Sequence, residues 1–139
     1  MTDVLAALIT TSLTGAAVLH LAWALGLWIP LRDETALARA VVGSKGISRM
    51  PGAVPCAVVA VALAFVASLP WTPNFPFQPW LMAAAAFVFF ARGTAAYVPA
   101  WRTLVPEPAF AHLDTRLYGP VCLFLGTGLT LLVFLGDAA

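Results

Sequence analysis

Charge is scarce in this chain. Aspartate, glutamate, lysine and arginine make up 9% of its 139 residues, where a soluble domain carries about 25%. A water-soluble domain of this size could not cover its surface with so few charges. The net charge is +1 and no basic block is present, so nothing points to a nucleic-acid partner. The two cysteines, Cys56 and Cys122, form no CxxC and have no metal-ligand spacing, so they read as small packing residues. A b-type haem wants two facing axial ligands. His20 and His112 are expected at different depths and Met82 near the opposite membrane face. No metal and no cofactor is therefore expected.

Apolar residues are abundant at 62%, and they fall into four runs. A spanning helix needs about 20 mostly apolar residues. The runs are 4–29, closed by Pro30; 53–69, closed by Pro70; 80–98, closed by Pro99; and 118–135. A spanning backbone must satisfy its own hydrogen bonds, and these runs are too long and too evenly apolar for barrel strands. The expectation is an all-α polytopic membrane four-helix bundle, a single transmembrane domain over residues 1–139. The opening segment lacks a basic n-region and its apolar run is too long for a signal peptide, so it reads as a retained helix.

Orientation follows the basic residues. Loop 30–52 holds Arg32, Arg39, Lys45 and Arg49; loop 99–117 holds Arg102 and Arg116; loop 70–79 holds no charge. The first two are expected in the cytoplasm, with both termini outside, in the cytoplasmic (inner) membrane. Asp3 and Asp137 at the ends are compatible with that. The proline-rich outer loop carries Trp71, Phe75 and Phe77, and Trp80 follows it, as in an interfacial aromatic belt. In the first loop Asp33 or Thr35 can cap a short surface helix, and Gly43-Ser44-Lys45-Gly46 can form a backbone nest for a lipid phosphate. Gly52-Ala53-Val54-Pro55-Cys56 and Tyr118-Gly119-Pro120-Val121-Cys122 echo each other, as in two hairpins of equal orientation.

Within the runs, two polar residues are conspicuous. His20 lies about 13 Å from the cytoplasmic end of its run and Arg92 about 10 Å, at 1.5 Å per residue. An arginine inside a bilayer costs roughly 2.5–3.5 kcal/mol even on a lenient scale, so its partner matters: Arg92 either binds an anionic substrate or lipid headgroup, or is a structural pin that pairs with Asp114 or loop carbonyls or snorkels to the surface. His20 and Trp23 are three apart and share a helix face. His20 is expected to hydrogen-bond across the bundle to Tyr118 or Thr94. Asp114, Arg116 and Tyr118 lead into the last helix from the same side. His20, Trp23, Arg92, Asp114, Arg116 and Tyr118 thus form one expected binding or structural cluster in the cytoplasmic leaflet.

The segment Phe110-Ala111-His112-Leu113-Asp114-Thr115-Arg116-Leu117-Tyr118-Gly119-Pro120-Val121-Cys122-Leu123 resembles the pattern F-A-x-x-D-x-x-x-Y-x-P-x-C-L of DUF3995, a family of small four-helix membrane proteins of unknown function. His20-Leu21-Ala22-Trp23-Ala24-Leu25-Gly26 is similar to that family's H-x-x-W-A-L-G, and Arg92 stands at the place of its arginine. The family often places an aspartate a few residues after that arginine. Here Arg92-Gly93-Thr94-Ala95-Ala96-Tyr97 contains no acid, which makes Asp114 the expected partner. The resemblance implies no reaction.

Three functions fit these residues. The first is a non-enzymatic scaffold or accessory subunit, or a binder of a lipid or small amphiphile, with membrane lipid, another membrane protein or a second copy as partner. The second is a membrane enzyme on a lipid-like substrate, with His20 as acid/base and Arg92 as anion clamp. The third is a dimeric small transporter; a proton-coupled one would want a deeply buried carboxylate, whereas Asp114 is expected near the surface.

Overall fold

A computed structural model describes residues 1–136. Asp137 lies outside them. Every regular element among the described residues is helical: α1 (Thr2–Ala24), α2 (Glu34–Val41), α3 (Ala53–Ser68), α4 (Gln78–Ala95), α5 (Pro99–Leu104), α6 (Pro108–Leu113) and α7 (Gly119–Gly136). A 3-10 turn, Leu69–Trp71, extends α3, and a π-turn, Asp114–Tyr118, joins α6 to α7.

Among the described residues three helical stretches are long and apolar enough to cross a membrane: Thr2–Ala24, Ala53–Trp71 and the continuous rod Pro108–Gly136. The third expected span, α4, is not among them. Its 18 residues include Gln78, Pro79 and Arg92, which lower its hydropathy.

The first helix stops sooner than expected, at Ala24 rather than near Ile29. Pro30 does not end it. Gly26 adopts φ +77°, and Leu27 N–H donates to Ala22 O while Gly26 N–H donates to Trp23 O. This is a Schellman stop, which needs a left-handed residue that glycine supplies without steric cost. The segment 99–117 is also no plain loop, because Pro99 and Pro108 each sit in the first turn of a short helix. The surface helix in 30–52 is present as α2, and Asp33 Oδ1 caps it by accepting from Ala36 N–H at 2.6 Å.

The long helices pack as two pairs, α1 along α3 and α4 along α7, joined mainly where α1 meets α7. Ile9, Leu13, Ala67, Leu69, Met82, Ala86, Leu125 and Leu129 form the core between them. Close approach depends on Gly128, where an added Cβ would lie 2.6 Å from Ile9 Cδ1. At one end of the molecule Trp71 Nε1–H donates to Thr10 Oγ1 at 2.8 Å, and Thr10 donates to Ala67 O at 3.0 Å. That chain ties the 70–79 loop to α1 and α3. The opposite end holds Arg92.

Candidate functional site: a buried aspartate between two arginines

Asp114 opens the π-turn and is fully buried. An isolated buried carboxylate is very costly, so its acceptor sites should be filled. Arg92 Nη2 donates to Oδ1 at 2.6 Å; Arg102 Nη2 and Trp101 Nε1 both donate to Oδ2 at 3.0 Å. Arg102 Nη2 also donates to Ala96 O at 3.0 Å. One carboxylate therefore joins the end of α4, both donors of α5, and the start of the α7 rod.

Two guanidiniums face one carboxylate, so the cluster carries a net positive charge, because arginine stays protonated. Arg92 Nη1 and Arg102 Nη1 are buried and have no hydrogen-bond acceptor among the described residues. Both guanidinium carbons lie over the Phe110 ring, at 5.8 and 5.9 Å from its centre, and Arg92 also lies 5.4 Å from the centre of Trp101. The negative ring faces partly replace the missing acceptors. Local backbone geometry lets the elements close around this cluster. Gly119 sits where a Cβ would come within 2.9 Å of both Ala96 Cβ and Asp114 O.

The expected pairing of Arg92 with Asp114 is present. The expected surface position of Asp114 is not, since packing of α5 and α6 over it removes all exposure. Tyr118 is close by, with its ring 5.9 Å from Phe110, but its hydroxyl donates to Ala40 O of α2 at 3.0 Å rather than to His20. Arg116 is exposed and stands apart from the cluster.

His20 and Trp23 belong elsewhere. His20 Nδ1–H donates to Ala16 O of its own helix at 2.8 Å, and its ring lies 4.8 Å from that of Trp23. Trp23 Nε1–H donates to Ile29 O at 2.8 Å, pinning the chain just past the Schellman stop. Both line a cavity of about 130 Å³ with Met50 and Cys56. Among the described residues no hydrogen bond joins His20 or Trp23 to Arg92 or Asp114. The reason is α2. Its Leu37 and Ala38 pack with Trp23, Met50 and Cys56, while Ala40 and the following Gly43 meet Tyr118 and Phe110. The single expected cluster is therefore two.

The expected phosphate nest is filled from within. Glu107 Oε1 accepts from Gly46 N–H at 3.2 Å, and Glu107 N–H donates to Gly43 O at 3.2 Å. Trp101, Arg102 and Phe110 were not among the expected site residues. Phe110 had a signal, because it lies four residues before Asp114 on one helical face. Arg102 read only as a topology charge.

The family described as protein of unknown function (DUF3995) matches residues 13–129. The chain belongs to DUF3995. The match spans both polar clusters of this DUF3995 protein, from His20 through Tyr118. No curated protein and no solved structure matches the chain.

Proposed function

We propose that this DUF3995 protein is a multi-pass protein of the cytoplasmic membrane that acts as a small scaffold or accessory subunit rather than as an enzyme. In this reading α1, α3, α4 and α7 cross as a four-helix bundle, with both termini outside and α2, α5 and α6 on the cytoplasmic side. At 1.5 Å per residue α4 extends about 27 Å, close to a hydrocarbon core of about 30 Å. Its one charge, Arg92, is held by Asp114 at the end that would face the cytoplasm.

The observation that carries the reading is the saturation of Asp114. Three donors fill the carboxylate, and none of its surface is open to a substrate. The groups act as a pin that fixes α5 and α6 against α4 and α7. An acid/base role for His20 beside Arg92 would need a hydrogen-bonded path between them, and α2 occupies the space where the two clusters meet. The outward faces are apolar, with Val58, Val61, Phe87, Val88 and Phe134 all more than half exposed, as lipid or a partner helix requires.

Arg92→Ala and Asp114→Asn, purified in detergent beside the wild type, test this by thermal unfolding and by mass spectrometry of co-purified lipid. The pin predicts a large loss of thermal stability. Loss of one specific lipid species with unchanged stability would instead make the cluster a ligand site. Single cysteines placed at Thr72 and Lys45, in a background lacking Cys56 and Cys122, test the topology. Only the first should react with an impermeant thiol reagent from outside.

A further inference from the structure

We propose that the cavity between α1, α2 and the start of α3 is a site for one Cu(I) ion, with Cys56, Met50 and His20 as its ligands. The site goes beyond the scaffold reading and does not depend on it. Its donors come from separate places in the chain: His20 from α1, Met50 from the strap after α2, and Cys56 from one turn into α3. All three line the cavity of about 130 Å³, together with Trp23. Backbone contacts seat them there. Met50 N–H donates to Glu34 Oε1 at 3.1 Å, which holds the strap against α2. Gly52, at φ +102°, then turns the chain into α3, and Cys56 N–H donates to Gly52 O at 3.5 Å. Met50 and Cys56 are thereby only 8% and 5% exposed and pack in one cluster with Trp23.

The donor atoms are free to bind. A carbonyl oxygen only accepts, so the 2.8 Å contact with Ala16 O puts the ring proton of neutral His20 on Nδ1. Nε2 then carries the lone pair, and no hydrogen bond among the described residues occupies it. A backbone carbonyl on the other ring nitrogen is a common support of a metal-bound imidazole. The Cys56 thiol forms no disulfide. Met50 is unbranched, with three rotatable bonds to bring its sulfur toward an ion.

The donor set selects the ion. Thiolate and thioether are soft ligands and favour Cu(I). Calcium and magnesium want oxygen ligands, and among the described residues no carboxylate lines the cavity. Structural zinc takes four ligands from cysteine, histidine and carboxylate. Among the described residues no group of three such side chains is placed to hold a metal, and the third donor here is a thioether. Charge agrees with this choice. Binding exchanges the Cys56 S–H bond for an S–Cu bond and releases the proton to water, while copper stays Cu(I). Thiolate and ion cancel, so the valines and prolines of the remaining wall enclose a neutral site. The Trp23 ring, 4.8 Å from that of His20, adds a π face. Organic ligands occupy pockets of about 300–1,000 Å³, so a cavity of this size suits an ion.

Anaerobic titration of the detergent-purified protein with Cu(I), in ascorbate and against the chelator bicinchoninate, tests this. Wild type should withhold one equivalent of Cu(I) per chain, and copper K-edge absorption should show sulfur neighbours. Cys56→Ser should weaken binding by at least about a hundredfold, the upper end for second-shell partners and so a floor for a ligand. Met50→Leu, which conserves volume, should weaken it by about tenfold and leave thermal unfolding of the metal-free protein nearly unchanged. Cys122→Ser should bind as wild type does. If Cys56→Ser does not fold, Met50→Leu carries the test by itself. Transfer of all the copper from wild type to bicinchoninate overturns the site. Full affinity in Cys56→Ser or Met50→Leu, or its loss in Cys122→Ser, does the same. Zn(II) held through these residues as tightly as Cu(I) overturns the choice of ion.

Discussion

Arg92 and Asp114 are 22 residues apart in sequence and meet at 2.6 Å, across the two segments that the short helices α5 and α6 connect. Asp114 has no exposed surface, whereas the Arg92 side chain keeps 31% of its own. The two ends of this pair should therefore respond differently to mutation.

Asp114→Ala should destabilise the protein by about 3–5 kcal/mol, because it leaves two arginines facing each other without the intervening carboxylate. Arg92→Gln should cost less, since Arg102 and Trp101 still hold the carboxylate. Unfolding curves in detergent for the two variants give the order. An equal loss would mean that Arg102 contributes nothing.

Trp101→Phe keeps the ring beside Arg92 and removes only the indole N–H donated to Asp114. A loss of about 1.5–3 kcal/mol is expected, the range for hydrogen bonds to charged groups. The same unfolding measurement reads it.

Glycine at position 43 should resist replacement. Its φ is +76°, and an added Cβ would overlap the Phe110 ring. Gly43→Ala should both strain the backbone and displace Phe110 from the two guanidiniums, for a loss of about 2 kcal/mol or more. Gly46→Ala has the strained φ but open space around it, so it should cost less. Comparing the two separates backbone strain from the lost ring.

His20→Ala and Asp114→Ala should be additive within about 0.5 kcal/mol, because the two residues share no partner. A double-mutant cycle on thermal stability measures this. A coupling above about 1 kcal/mol would show that α2 transmits strain between the clusters.

The helical runs and their apolar character are local properties, so hydropathy and proline placement locate them to within a few residues. The end of α1 was misplaced because Pro30 is a conspicuous breaker, while the stop five residues earlier depends on the left-handed Gly26. The α2 cap was legible for a similar reason, since an aspartate followed by a helix-forming stretch makes its hydrogen bond within three residues. The pairing of Arg92 was legible only through the family resemblance: the acid that the family often places after its arginine is missing between Arg92 and Tyr97, which points to Asp114 on the same side.

The sequence by itself determined an all-α chain rich in apolar runs, which is written in composition and short-range spacing, and its motifs carried the resemblance to its family, which in turn pointed to Asp114 as the partner of Arg92. Only the tertiary structure decided that Arg102 and Trp101 complete the Asp114 cluster, that α2 separates it from His20, and that Glu107 fills the Gly43–Gly46 nest. Those outcomes depend on which short helix packs beside which long one. Many partners are compatible with the same local pattern, and burial selects the arrangement that leaves the carboxylate saturated.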